Sequence, residues 1–533
     1  MKNSVFYDSV PAWLIKVSLS ILMSAQILIA AIPANAIGMV TSFLGDEKDT
    51  IQFIYYGGVV ANAAAYPLIG RLLRYFRKKQ LLLFTLLLEL IFLLLSVCST
   101  NALQLFIFNF FLSSFKMVGL ITTIVLFLEK FNPSNSRGYF YALYYTISFC
   151  IGQIYAYWVA LILETYTWKY TFLISLPGIL ISILLVSLLF HSHRTEKKYP
   201  LYQVDWLGYF LFVVASLCLA FVCIFGERLE WMENELIGFM VGATLITYLL
   251  WVIRMLYARR PYVDIRALAQ YKQALVGVLF MMLMFLVYNT LSITTEFMTV
   301  SLGYDGRYVA AANLYLIIPF LCVIPLTGYW LHKVRRAREP LILSFLLFAL
   351  YYGYTAQFFY PEENTHFFLI PMMIRGAAYG MCITSLSYYA SMNIPAKPNN
   401  YRAFASIVSR SVIAAPITSA LCLHCFNYFK DRQYNMLSAV YAMDDFRVSS
   451  LWKGLVSAQL KKGFSMQEAE QMAQAALHKL IYKEALIYSI QNIHYVLAAV
   501  SLILALAVAC LKIFNLHYQV EKNNHHAQSY VDL

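Results

Sequence analysis

Fourteen apolar runs recur along the 533 residues, most of them long enough to cross a bilayer as one helix. No other feature restricts the fold as strongly. A helix needs about 20 apolar residues to span the hydrocarbon core, and only helices or closed barrels satisfy their own backbone there. The runs lie near 13–36, 51–72, 80–99, 101–128, 138–163, 169–190, 206–226, 236–257, 273–297, 309–331, 340–359, 366–391, 402–427 and 488–513. Joins as short as Ser99 to Asn101 imply tight antiparallel hairpins. Hydrophobic residues make up 61% of the chain and charged ones 13%, against about 25% charged in soluble proteins. These fractions exclude a soluble enzyme, a disordered scaffold and a nucleic-acid-binding domain, because exposed apolar patches of that extent drive association. The expected fold is an all-α membrane protein with the bilayer as its solvent.

The net charge of +13 alternates from loop to loop. Connections after even-numbered spans carry Arg71, Arg74, Arg77, Lys78 and Lys79, then Lys130 and Arg137, then Arg194, Lys197 and Lys198. The series continues with Arg259, Arg260 and Arg266, with Lys333, Arg335, Arg336 and Arg338, and with Lys397 and Arg402. The opposite connections carry Asp46, Glu47 and Asp49, then Glu227, Glu230, Glu233 and Glu235, then Glu362 and Glu363. The positive-inside rule makes the basic loops and both termini cytoplasmic in a multi-pass membrane protein. The apolar run from Ala12 to Val40 is too long for a signal peptide core and reads as a retained first span. Most of the nine cysteines lie inside apolar runs as small hydrophobes. Cys422-Leu-His424-Cys425 offers too few ligands for a zinc site, so no metal, disulfide framework or cofactor is expected.

One polar connection, 428–487, is long and on the acidic side. Ser465-Met-Gln-Glu468 has the pattern of a capping box, and Ala469, Met472, Ala473, Ala476 and Leu480 then repeat at helical spacing. This segment is either a helix packed over the mouth of the bundle or a docking surface for a second protein.

Ionisable side chains inside a bilayer cost about 2.5–3.5 kcal/mol each, so the few present demand a partner or a purpose. Glu89 lies halfway along the third run, Lys116 halfway along the fourth, Glu296 near the end of the ninth and Arg375 in the twelfth. Arg410 lies about 12 Å into the thirteenth at 1.5 Å per residue. Glu89 and Lys116 can form a structural pair, or Glu89 can carry a proton. Arg375 and Arg410 either attract an anion in a central cavity or pair with Glu296. The first run offers Gln26 but no acid, so the cavity is neutral to basic and favours weakly acidic, anionic or neutral amphiphiles. Gly376 with Gly380 and Gly57 with Gly58 mark close helix contacts. Gly152, followed by Gln153, and Pro319, Pro325 and Pro416 mark places for helices to bend.

Trp168-Lys-Tyr-Thr-Phe172-Leu-Ile-Ser-Leu-Pro177-Gly178 resembles the W-R-W-x-F-x-I-N-x-P-x-G of the fourteen-span drug:proton antiporter group (EmrB/QacA-like) of the major facilitator superfamily. Gly226-Glu-Arg-Leu-Glu-Trp231, Pro261-Tyr-Val-Asp-Ile and Ser406-Ile-Val-Ser-Arg410 are similar to further segments of that group. Its gating-loop motif appears as Gly70-Arg71-Leu-Leu-Arg74-Tyr-Phe-Arg77-Lys78-Lys79, with arginine in place of aspartate. Gly328-Tyr-Trp-Leu-His332-Lys333 echoes it in the second half, also without the acid. The fourth-span R-x-x-Q-G becomes Phe115-Lys-Met-Val-Gly119.

The resemblance implies two six-helix bundles plus two inserted helices. The N-terminal bundle would cover 13–190 after a cytoplasmic 1–12, a linker 191–205, the inserted pair 206–257 and the C-terminal bundle 258–513 with its loop 428–487, before a tail 514–533. It implies alternating access around a midplane site and proton-coupled efflux of amphipathic small molecules, with 428–487 meeting a periplasmic adaptor. Uptake of an anionic metabolite held by Arg375 and Arg410 is the alternative. Gradient-driven export predicts no nucleotide site, and no phosphate-binding loop is present; a polytopic membrane enzyme is remote, because the histidines share no site.

Overall fold

The computed structural model describes residues 5–7, 9–29, 37–131, 136–192, 204–288, 294–295, 297–358, 368–440 and 446–515. Glu296 lies outside them. The described chain is nearly all helical, and a helix stands at each expected apolar run. In the first half these are α1 (Ala12–Leu28), α2 (Lys48–Tyr75), α3 (Lys78–Val97), α4 (Ala102–Phe131), α5 (Arg137–Thr165) and α6 (Lys169–Leu189). Then come α7 (Trp206–Phe225) and α8 (Glu235–Tyr257). The second half holds α9 (Lys272–Tyr288), α10 (Gly306–Lys333), α11 (Arg338–Phe358), α12 (Leu369–Ser391), α13 (Pro398–Ala439) and α14 (Met466–Cys510).

Among the described residues, eleven of these helices are long and apolar enough to cross a membrane. α1 and α9 are apolar but 17 residues long, and each ends where the described residues stop or nearly stop. α2 has 28 residues yet falls short in apolarity, because it carries Asn62, Arg71 and Arg74 and turns a face of small residues (Gly57, Gly58, Ala61, Ala64) into the protein. The expectation of fourteen spans is therefore met on these criteria by eleven.

The helices group as two bundles. α1 to α6 enclose a core of Leu22, Met23, Leu86, Leu112, Val159, Trp168 and Phe172. The Trp168 motif is thus a packing element: Trp168 is 1% exposed, and Gly178 lets α6 approach Ala25 of α1. α9 to α14 enclose a second core that includes Phe280, Met284, Phe345, Tyr352 and Ile490. Small residues set the close crossings. A Cβ on Gly57 would stand 2.5 Å from the Phe106 ring, and those on Gly376 and Gly380 2.6 Å from Pro319 and Ile324 of α10.

The bundles meet along α5 and α10, where Gly328 faces Ala142 so closely that a Cβ would stand 2.3 Å from the alanine methyl. At the end of this crossing that carries the basic loops, His332 Nδ1 lies 2.8 Å from Ser136 Oγ and Arg137 donates to the Ile394 carbonyl at 2.8 Å. At the other end Arg307 lies 3.6 Å from Glu164. Gly152 remains in the unbroken helix α5, with open space where its Cβ would be. The local irregularity falls instead in α13, as a π-helical stretch Val408–Ala414 just before Pro416. Proline has no N–H for the carbonyl four residues back, and a π-turn absorbs that loss.

α13 and α14 run well past the expected 427 and 488 on the acidic face. Hydropathy locates the part of a helix in lipid, not the helix end. Between them Phe446–Leu460 packs on α14 through Trp452, Leu455, Val456, Ala469 and Ala473. The capping box is formed, and of the expected stripe Ala469 and Ala473 are buried whereas Met472 and Leu480 are exposed.

Candidate functional site

Aromatic side chains fill the seam between the bundles. α5 presents Tyr141, Tyr144, Tyr145 and Phe149 on one side, spaced three or four residues apart along one face. Opposite stand Phe320 of α10, Tyr379 of α12 and, behind it, Tyr288 of α9. Phe149 lies 5.1 Å from the Tyr379 ring and 5.2 Å from Phe320, and Tyr379 stacks on Tyr288 at 3.8 Å. Tyr145 and Ser387 of α12 share a hydrogen bond of 2.7 Å across the seam.

Two guanidinium groups of α13 enter this aromatic wall. Arg410, in the π-helical stretch, faces Tyr144, Tyr145 and Tyr379 and keeps partial exposure far from either end of its helix. Arg402 is 4% exposed; it donates to the Tyr141 hydroxyl at 3.0 Å and to Asn399 at 2.9 Å. The charge alternation groups Arg402 with the loop cations, yet it is buried against the opposite bundle. The signal for that is its spacing of about two turns from Arg410, with Ser406 between them. Among the described residues no carboxylate comes within ion-pair distance of Arg410 or Arg375. An aromatic seam with fixed cations could, once parted, hold a flat apolar group against its rings and a negative group against a guanidinium.

Arg375 is placed elsewhere. It is 1% exposed inside the second bundle, where Nη2 donates to the Tyr288 carbonyl at 2.8 Å. The Tyr288 and Tyr351 rings lie 4.9 and 5.6 Å from the guanidinium. His494 of α14, one of the histidines that share no motif in the sequence, is fully buried beside Tyr351 and Tyr352 and lies 3.0 Å from Thr355 Oγ1. Arg375 is thus tied locally and reaches the seam only through the Tyr288–Tyr379 stack.

The first bundle contains a separate polar centre. Glu89 of α3 is 0% exposed, and its Oε2 accepts from Gln26 Nε2 of α1 at 2.9 Å. Its Oε1 and the Gln26 Oε1 have no hydrogen-bond partner among the described residues. The third wall is Gly119 of α4, where a Cβ would stand 2.8 Å from Glu89 Oε1 and 2.9 Å from Gln26 Nε2. Lys116, one turn along α4, is near enough to Glu89 to be felt electrostatically but is not in ion-pair contact with it. The direct hydrogen-bond partner of Glu89 is therefore Gln26 and not Lys116. Gln153 is half-buried on α5, and neither centre includes it.

The gating-loop residues lie at the basic end. Arg77 donates to Ser192 at 3.1 Å, Lys78 pairs with Glu129 at 3.3 Å, and Arg71 and Arg74 lie near Tyr401 at the start of α13. Gly70 precedes them on α2, and Lys333 lies over the Tyr329 ring at 5.8 Å. Among the described residues no His/Cys/Asp/Glu group could hold a metal ion.

The sequence profile described as Major Facilitator Superfamily matches residues 17–418. The chain is 24% identical over 384 residues to the probable multidrug resistance protein EmrY of Escherichia coli, a match that covers 70% of this chain and 73% of that protein. It is 25% identical over 229 residues to multidrug resistance protein 3 of Bacillus subtilis, covering 42% of each. Among solved structures, an auto-inhibited POT family peptide transporter superposes with a TM-score of 0.53 at 13% identity, covering 98% of this chain and 99% of that one. A mutant of the nucleoside transporter NupG gives 0.52 at 14% identity, covering 93% and 99%.

Proposed function

Because the chain belongs to the Major Facilitator Superfamily, whose members are transporters and not enzymes, we propose that it exports hydrophobic or weakly acidic amphipathic compounds by proton-coupled alternating access. The observation that carries this reading is Arg410, a partly exposed cation in an aromatic seam between two bundles, without a carboxylate at ion-pair distance among the described residues. An acidic amphiphile would lay its apolar body against Tyr145, Phe149 and Tyr379 and its negative group against Arg410. The similarity to multidrug resistance proteins supports a broad, apolar substrate class.

Glu89 is the proton carrier in this reading. Enclosed without an ion-pair contact, its carboxylate is stable in lipid only when neutral or briefly wetted. Proton release there would bias the first bundle, and the bundles would then rock about the α5–α10 crossing. The basic face is cytoplasmic, as are both termini, in a bacterial inner membrane with fourteen spans. The projecting helices between 428 and 487 form the surface for a periplasmic adaptor.

The test is efflux from everted or intact cells of a panel of acidic and cationic amphiphiles. Efflux of the acidic members should collapse with a protonophore and persist under ATP depletion with the gradient clamped. Arg410→Gln should cost the acidic substrates about tenfold in kcat/KM, the scale of one lost charge-assisted hydrogen bond. Equal efflux of cations, or an unchanged Arg410→Gln, would overturn the substrate class.

A further inference from the structure

The inserted helices lie across the seam. α7 packs along α2 of the first bundle and α13 of the second: Phe212 stands 5.4 Å from Phe404, and Phe221 and Phe225 each stand 6.1 Å from Phe53. After Phe225 the chain turns sharply. Glu230 and Trp231 both adopt positive φ, 58° and 52°, a conformation that non-glycine residues hold only when their surroundings impose it. The turn folds Trp231 back over Gly226, where a Cβ would stand 2.6 Å from the indole ring.

The result is that two adjacent residues of opposite charge reach in opposite directions. Arg228 forms an ion pair with Glu47 and lies 3.6 Å from Asp49, both at the start of α2. Glu227 Oε2 lies 3.0 Å from His424 Nδ1 and accepts from Trp231 Nε1 at 2.9 Å, while Oε1 accepts from Asn427 Nδ2 at 3.0 Å. His424 and Asn427 belong to α13. A single dipeptide thus touches both bundles on the acidic face.

We propose that the Glu227–Arg228 turn is a strap that holds the two bundles together on the acidic face and releases one of them whenever that face opens. This rests on the alternating-access reading above. It also gives the Gly226–Trp231 motif a role: glycine admits the indole, the indole fixes Glu227, and the next residue grips the other side. Opening between α2 and α13 separates Glu47 from His424, and one rigid turn cannot follow both.

Spin-label distances test this directly in the whole protein held in nanodiscs. Labels go on exposed residues of the two bundles, Lys48→Cys and Arg432→Cys, in a background without the nine native cysteines. Wild type should show a short and a long population. Glu227→Gln with Arg228→Gln should raise the long one about two- to fivefold, the scale of exposed ion pairs. The charge-swapped Glu47→Lys, Asp49→Asn, Arg228→Glu variant should bring the ratio back toward wild type, which mere misfolding would not do. Two populations whose ratio ignores all these variants would overturn the strap alone. A single population in wild type under every pH imposed would overturn alternating access as well.

Discussion

Glu89 owes its setting to its neighbours on two other helices: an amide from α1 and the missing side chain of Gly119 on α4. Gly119→Ala would put a methyl group 2.8 Å from one carboxylate oxygen, and overpacking of this kind costs about 1–3 kcal/mol. A lower melting temperature and a displaced pH profile of transport should follow; a wild-type profile would remove Gly119 from the proton site. Glu227 titrates in the opposite sense to a buried, unpartnered acid. Burial raises its pKa, but hydrogen bonds from Asn427, Trp231 and His424 outweigh that and hold it below the ordinary 4.5. A depressed carboxylate contributes stability above its unfolded value and loses it as pH falls through the lowered one. The protection of amides over 226–234, their exchange taken relative to the intrinsic rate at each pH, should therefore stay level from neutral pH down to about 5 and fall only in stronger acid. A loss of protection between pH 7 and 6 would show that another group controls the turn.

At the scale of elements, the projecting start of α14 depends on its cap. Ser465 and Glu468 cap each other reciprocally, and Ser465→Ala should cost about 1 kcal/mol there. Exchange of the first-turn amides after Ser465 should quicken about fivefold while the lipid-embedded half is unchanged; no change would mean that packing on Phe446–Leu460 alone holds the arm. Hydropathy made the helices legible, because burying a backbone in lipid demands long apolar runs. The pairing of small residues made the crossings at Gly57, Gly376 and Gly380 legible. The ends of α13 and α14 were not, since a helix does not stop where the lipid does. Side-chain partners were the least legible. Glu89 met Gln26 and not Lys116, and Arg402 turned inward to Tyr141, because partners 63 and 261 residues apart are chosen by packing and leave no local pattern.

For the whole molecule, the position of α7 matters most. It lies over the line where α2 and α13 approach, so the inserted pair is part of the contact between bundles and not an appendage to either. The α5–α10 crossing is joined near both faces, through His332 and Ser136 at one end and Arg307 and Glu164 at the other, which suits a fulcrum. The seam around Tyr145, Tyr379 and Arg410 would then open to each side in turn. The most direct test places a single cysteine at Ser387, the partner of Tyr145, in the cysteine-free background, and measures its labelling by a membrane-impermeant maleimide from each face. Labelling from both faces, with the favoured face changing when the proton gradient is reversed, is the predicted result. Labelling from one face only, whatever the gradient, would contradict it.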